Sequence, residues 1–311
     1  MRRRRRRIEY YSGEATRERF YQKPWFPFAV IALGAVIVAL IVGAVLGGTA
    51  ERSRLSSFEK KDMVDFGGVE VPERKFRDVL AISGDSVKLM GKSADDVRDA
   101  VSQLPEGNAV GFWVFDGADT VYFQSELMGK SNTTLRTGAS VTAAELVEAA
   151  KDSGRYGVAL FVTGAFAEAD EQLRILKISE EIALISELAT AGFHEIVILG
   201  LPSDSETAQQ VNGYMRQAHD VCPNATLGVT ISAEGADSSV VSRAVASTEA
   251  YADCYFLDIR SASVGSVGNL IERNAYFLTA YRMRLLASAT ERDERVAELE
   301  SYGVHGYLIG Q

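Results

Sequence analysis

The chain holds 311 residues, 47% of them hydrophobic, with a formal net charge of −9 and two cysteines. That length is enough for a self-sufficient core, and so few cysteines exclude a disulfide scaffold. The charge is uneven: nine basic and three acidic residues up to Gly48, net +6, against 24 basic and 39 acidic beyond it, net −15. A domain that acidic excludes nucleic acid as its partner, because phosphates demand clustered Lys and Arg.

Residues 1–27 are an arginine-rich tail carrying Arg2–Arg7, Arg17, Arg19 and Lys23. Phe28–Leu46 follows, nineteen residues without a charge. As a helix this run reaches about 28 Å, close to the roughly 30 Å hydrocarbon thickness of a bilayer. It exceeds the roughly 7–15 residues of a cleaved signal core, so residues 28–48 are expected to be an uncleaved signal anchor with the lipid bilayer as partner. Four basic residues, Arg52, Arg54, Lys60 and Lys61, flank its far side, against nine on the near side. The positive-inside rule then puts the N-terminus in the cytoplasm and the C-terminal mass outside a cell membrane crossed once. Residues 49–76 are polar and form a juxtamembrane spacer.

From residue 77 onward, short β-branched or aromatic runs alternate with amphipathic stretches, the rhythm of parallel strands with helical crossovers. The strands are expected at Val79–Ser83, Ala109–Phe115, Val158–Thr163, Glu195–Gly200, Thr226–Ser232, Cys254–Ile259, Arg284–Ser288 and Gly306–Ile309. The helices fall near 94–104, 143–152, 172–191, 205–220, 238–250, 269–280 and 291–302. Ser93 before Asp95 and Asp96, Thr142 before Glu145, and Thr290 before Asp293 are start signals, and Gly154, Gly192 and Gly303 are stop signals. An open doubly wound sheet fits the alternation, but eight βα units in about 235 residues fit a closed α/β (β/α)8 barrel over 77–311 better, with its last helix missing.

In a barrel, chemistry sits at the C-terminal ends of the strands. Alternation places Leu227, Val229 and Ile231 against helices and Gly228, Thr230 and Ser232 inward; on the next strand Phe256, Asp258 and Arg260 look into the lumen. Asp258 is the best-placed carboxylate and Asp116 the second, with its direction open. Ser83, Thr163, Ser232, Arg260 and Ser288 are candidate ligand-binding neighbours at the mouth. The acids of the loops, Asp85, Glu168, Asp170, Asp204 and Glu234, read as surface. His194, His219 and His305 are far apart with no metal-ligand spacing, and no phosphate-cradling loop or nucleophile elbow is present, so no metal and no cofactor are expected. Cys222 precedes the fifth strand and Cys254 opens the sixth, and they are either a disulfide or two buried free thiols.

Five stretches carry a family resemblance: Asn108–Asp116, Val121–Ser125, Gly157–Leu160 with Phe166 and Asp170, Gly192–Ile198, and Tyr251–Asp258. Together they resemble the glycoside-hydrolase-like barrel domain of bacterial surface proteins, a largely uncharacterised family. The resemblance implies a (β/α)8 fold, an extracytoplasmic bacterial setting and a carbohydrate ligand. Where such relatives carry an acid and a lysine on strand two this chain has Trp113 and Phe115; it has Leu160 in place of an arginine on strand three, and Ile198-Leu199-Gly200 where strand four carries an acid. The site therefore reads as degenerate. The preferred function is a non-catalytic carbohydrate-binding or scaffold protein of the cell envelope. One alternative is an active glycosidase using Asp258 and Asp116; another is a structural partner of an envelope protein, which requires an exposed apolar patch.

Overall fold

The computed structural model describes residues 80–129, 133, 135–232, 238–260, 281, 283–288 and 304–310. The chain divides into Met1–Glu73 and Arg74–Gln311, and the fold belongs to the second unit. Among the described residues no helix is long and apolar enough to cross a membrane. Phe28–Leu46, the spacer 49–76 and the expected helices at 269–280 and 291–302 lie outside the described residues.

The strands are β1 (Ile82–Lys88), β2 (Ala109–Phe115), β3 (Thr120–Val121), β4 (Arg136–Thr137), β5 (Tyr156–Val162), β6 (Glu195–Leu199), β7 (Thr226–Ser232), β8 (Cys254–Asp258), β9 (Arg284–Ala287) and β10 (Gly306–Ile309). Eight of them run in the order β1-β10-β9-β8-β7-β6-β5-β2, and β1 pairs with β2 in parallel, so the ring closes into a (β/α)8 barrel. The short β3 and β4 extend the sheet outside the ring, in the connection that follows β2. The described helices are α1 (Ala94–Ser102), α2 (Ala143–Asp152), α3 (Glu171–Ala191), α4 (Ala208–Asp220) and α5 (Ser238–Thr248).

Local chemistry fixes where the helices begin. Ser93 and Asp96 form a reciprocal capping box on α1, and Thr142 and Glu145 do the same on α2, each satisfying backbone N–H groups for about 1 kcal/mol. Asp170 caps α3 by accepting from the Gln172 and Leu173 amides. At the other end of α3, Gly192 takes φ +96° and terminates the helix in the left-handed conformation.

The sheet has two faces and two cores. Outward-facing Val110, Phe112, Phe161, Ile196, Ile198, Leu227, Val229, Ile231, Tyr255 and Leu257 pack under the helices. The lumen holds Ile82, Ala109, Val158, Leu160, Val197, Leu199, Cys254, Phe256, Leu286 and Leu308, with Trp113 and Val162 against them. The inside of the barrel is therefore a packed apolar core. Leu160 and Leu199, at two positions where the resemblance looks for charge, are part of it.

At the N-terminal end of the lumen the apolar filling gives way to one ion pair. The Arg284 Nη1 donates to both Glu195 carboxylate oxygens at 2.6 Å, and each side chain is 1% exposed. Its Nη2 donates to the Leu80 carbonyl, and its guanidinium lies over the Phe256 ring, 5.3 Å from the centroid. Cys254 donates to Glu195 Oε1 at 3.3 Å. Burial, and then the adjacent Glu195 carboxylate, push this thiol well above its ordinary pKa, so it stays protonated. Burial, the largest single influence, pulls the Arg284 pKa down, but the neighbouring charges, Glu195 first, and the Glu195 hydrogen bond together outweigh it and the net shift is upward.

One sequence expectation is corrected, and one open alternative is decided. The first strand begins at Ile82 and continues to Lys88, beyond the expected Val79–Ser83. Gly84 and Ser86, small residues at lumen positions, hid its second half. The cysteines are not bridged: both are buried and free. Cys222 packs in the helix-side core and Cys254 in the lumen core, on opposite faces of the sheet.

Two measurements follow. Thiol titration of the unreduced protein after unfolding should return both cysteines as free thiols; a disulfide would return none. Glu195→Ala or Arg284→Ala should each cost about 3–5 kcal/mol in denaturant unfolding by stranding a buried charge, while the double replacement Glu195→Leu with Arg284→Met should recover most of that loss.

Candidate functional site

The mouth is built by the C-terminal ends of β1, β2, β7, β8, β9 and β10. Asp258 ends β8 on the lumen face, and Arg260 follows two residues later on the same side. They form a two-pronged ion pair: Arg260 Nε donates to Asp258 Oδ1 at 2.9 Å and Nη2 to Oδ2 at 2.7 Å, while the Arg260 amide also donates to Oδ1 at 3.2 Å. The fork geometry matches both carboxylate oxygens and leaves Asp258 little capacity for another donor. The Arg260 guanidinium carbon stands 4.9 Å from the centroid of the Trp113 ring. Trp113, on β2, is fixed from below by its indole N–H, which donates to Ser86 Oγ on β1 at 3.1 Å. Gly310 lets the arginine lie this low: a Cβ there would come within 3.0 Å of Arg260 Cδ.

The structure places Asp258, Arg260 and Ser232 at the same end of the barrel. Ser232 is the register partner of Asp258 across β7 and β8 and is exposed. Ser288 lies two residues beyond Leu286, the Asp258 partner on β9, and is half-buried at the same end.

Three other expected site residues are elsewhere. Ser83 belongs to the N-terminal end of β1, where its amide donates to Asn108 Oδ1 and it pairs with Tyr307, because the strand starts later than expected. Thr163 turns outward, its hydroxyl donating to Glu181 on α3 at 2.7 Å. Asp116 is exposed, and its Oδ1 accepts from the Ala118 and Thr120 amides at 2.8 and 3.0 Å, so it organises the turn into β3. The cause is an irregularity in pairing with β5 between Trp113 and Phe115, which puts Val114 and Phe115 both in the helix-side core and breaks the alternation.

Of the remaining loop acids, Glu168 pairs with Lys177, Asp170 caps α3, and Asp204 accepts from the Thr207 amide and hydroxyl. Asp85 is buried on the helix side of β1, not at the surface. Glu234 lies outside the described residues. Among the described strand residues, Asp258 is the one lumen-facing carboxylate at the C-terminal end. A hydrolase of glycosidic bonds needs two, roughly 5–5.5 or 6.5–9.5 Å apart.

Sequence reasoning missed three buried charges and one surface. Glu195 and Arg284 each open a strand at a lumen position, and strand parity alone was signal enough to find them. Glu181 is 2% exposed on α3 and accepts from Thr163 Oγ1, the Gly164 and Ala165 amides and Tyr214 Oη, at 2.7 to 3.0 Å. Burial raises its pKa above the ordinary 4.5, against the opposing effect of those hydrogen bonds. The surface is at the start of α3, where Leu173, Ile175 and Leu176 are 48, 60 and 38% exposed.

No protein-family model matches the chain, and neither does any curated protein. Its fold does match solved structures. A candidate alpha-L-fucosidase from Bacteroides thetaiotaomicron superposes with a TM-score of 0.51 at 8% identity, over 81% of this chain and 91% of that one. The intracellular xylanase TsXylA of Thermoanaerobacterium saccharolyticum superposes at 0.44 with 9% identity, over 75% of this chain and 89% of that one. At such identities the likeness establishes the barrel fold alone, as in the first of these. The family resemblance drawn from the sequence is not shown at the level of sequence; what stands of it is the (β/α)8 barrel fold.

The Glu181 cluster gives a sign that can be checked. Its folded pKa lies above the unfolded value, so its stabilising contribution is full below the unfolded value and is lost as pH rises through the folded one. The stability of the wild type relative to Glu181→Gln, from urea unfolding between about pH 4 and about pH 7, should therefore fall as pH rises. A difference that stays flat would mean that Glu181 titrates as it does in the unfolded chain.

Proposed function

We propose that this protein is a membrane-anchored, extracytoplasmic barrel that acts without catalysis, binding carbohydrate or scaffolding an assembly at the cell envelope. The anchoring half rests on sequence: the uncharged run Phe28–Leu46 behind the basic tail Arg2–Arg7 supports a single span with the N-terminus in the cytoplasm.

The non-catalytic half rests on one observation above all. The carboxylate best placed to act, Asp258, is clamped by both prongs of Arg260. A general acid must hold a proton and a nucleophile must reach an anomeric carbon; a carboxylate engaged this way is poorly suited to either. The apolar filling of the lumen beneath it supports the same reading. Trp113 supports carbohydrate as the ligand class, since a half-buried indole held at a mouth by a fixed hydrogen bond, beside the Arg260 donor group, suits a ring that carries both apolar and polar edges. The exposed Leu173, Ile175 and Leu176 support the scaffolding role, as the apolar patch an envelope protein would cover.

The test is incubation of the full chain, held in lipid nanodiscs, with a panel of cell-wall and storage glycans, beside Asp258→Asn. The expected outcome is no released sugar from either protein, with at least one glycan shifting the emission of Trp113 in a Trp25→Phe background. Turnover by the wild type that Asp258→Asn abolishes would overturn the proposal and establish a glycosidase.

A further inference from the structure

The mouth holds one more group that the reading above does not use. Lys88 ends β1 as the register partner of Trp113, and it leaves the strand on the same face as Ser86, which is the lumen side. It is exposed and has no ion-pair partner among the described residues. Trp113 thus lies between two cations: Arg260 stacked over its ring, and Lys88 beside it on the neighbouring strand. Among the described residues of the mouth the counter-charge is Asp258, and its two oxygens occupy the fork of Arg260 as a ligand's carboxylate would.

The geometry points to a carboxylate-bearing sugar, a uronic acid unit, as the ligand of this mouth. The inference rests on the carbohydrate-binding reading and narrows it. In the bound state the sugar's carboxylate takes Arg260 and Lys88 beside Trp113, and Asp258 swings off the guanidinium. Asp258 is then a built-in competitor that occupies the site when no ligand is present. No covalent step is involved; one carboxylate replaces another on the same donors. The net −15 beyond Gly48 limits the ligand's size. A long polyanion would be repelled by the surrounding domain, whereas a short acidic oligosaccharide, or the end of one, meets the two local cations.

The competition makes the outcome distinctive, because removing an acid must strengthen binding. Trigalacturonate, maltotriose and acetate would be titrated into the full chain in nanodiscs, in the Trp25→Phe background, with Trp113 emission as readout. Trigalacturonate should shift the emission, with maltotriose and acetate at least tenfold weaker. Asp258→Asn should bind trigalacturonate about tenfold more tightly, since Arg260 is freed. Lys88→Met, a change at an exposed side chain, should weaken it at least threefold with an unaltered thermal midpoint. Equal or weaker binding by Asp258→Asn would overturn the inference, as would acetate binding as well as the sugar acid. Maltotriose bound in preference to trigalacturonate would overturn it too while leaving the carbohydrate reading intact. A shift with none of the three would overturn the inference, and no shift with any glycan of the wider panel would remove the carbohydrate reading as well.

Discussion

The barrel depends on a buried ion pair at its closed end. Taking a carboxylate and a guanidinium out of water costs several kcal/mol per ion, and that cost is recovered only when both are fully engaged. Glu195 meets the condition with Arg284 and the Cys254 thiol; Arg284 meets it at both terminal nitrogens, with Glu195 and the Leu80 carbonyl, and over the face of Phe256, while its buried Nε has no hydrogen-bond partner among the described residues. The pair joins β6 to β9 across the lumen, strands that are not neighbours in the ring. Packing between adjacent strands is tolerant of small shifts, whereas a charge left unpaired is not. The pair therefore fixes which strands face each other and ties the segment leading into β1 to the floor of the barrel.

The same chemistry recurs at the open end with another consequence. Asp258 and Arg260 are again a carboxylate and a guanidinium with an aromatic ring beneath, but their side chains are 19 and 29% exposed. Water screens this pair, so separating it costs far less than separating the one below. One end of the lumen is locked and the other can exchange partners. This division agrees with the general behaviour of barrels, in which the N-terminal face serves stability and the C-terminal face serves ligands.

A third carboxylate works behind the wall. Glu181 reaches from α3 to the Gly164 and Ala165 amides, which directly follow Thr163 at the end of β5, and to Tyr214 on α4. One side chain satisfies two loop amides that have left the sheet and ties two helices to the same point. Gly164 and Gly117 meet so closely there that a Cβ on Gly164 would strike the Gly117 carbonyl oxygen at 1.4 Å. The loops after β2 and β5 are thus held against each other behind the mouth, and the tight fit explains why glycine stands at that position.

The sequence by itself determined the periodic architecture: eight strands, the capped starts of α1 and α2, and the inward direction of Asp258 and Arg260. These follow from local rules, since alternation along a strand and the chemistry of a helix terminus depend on residues close in the chain. Only the tertiary structure decided what those side chains meet. An irregularity after Trp113 removed Asp116 from the site, a late start to β1 moved Ser83 to the opposite end, and Thr163 turned outward to a glutamate 18 residues away. The cysteines fell on opposite faces because Cys222 precedes β7 on the helix side while Cys254 has lumen parity. Glu195 and Arg284 are 89 residues apart, and their union reflects ring closure, which no local pattern encodes. Strand register and closure are global constraints, so a residue's face can be read from its neighbours in sequence, but its partner cannot.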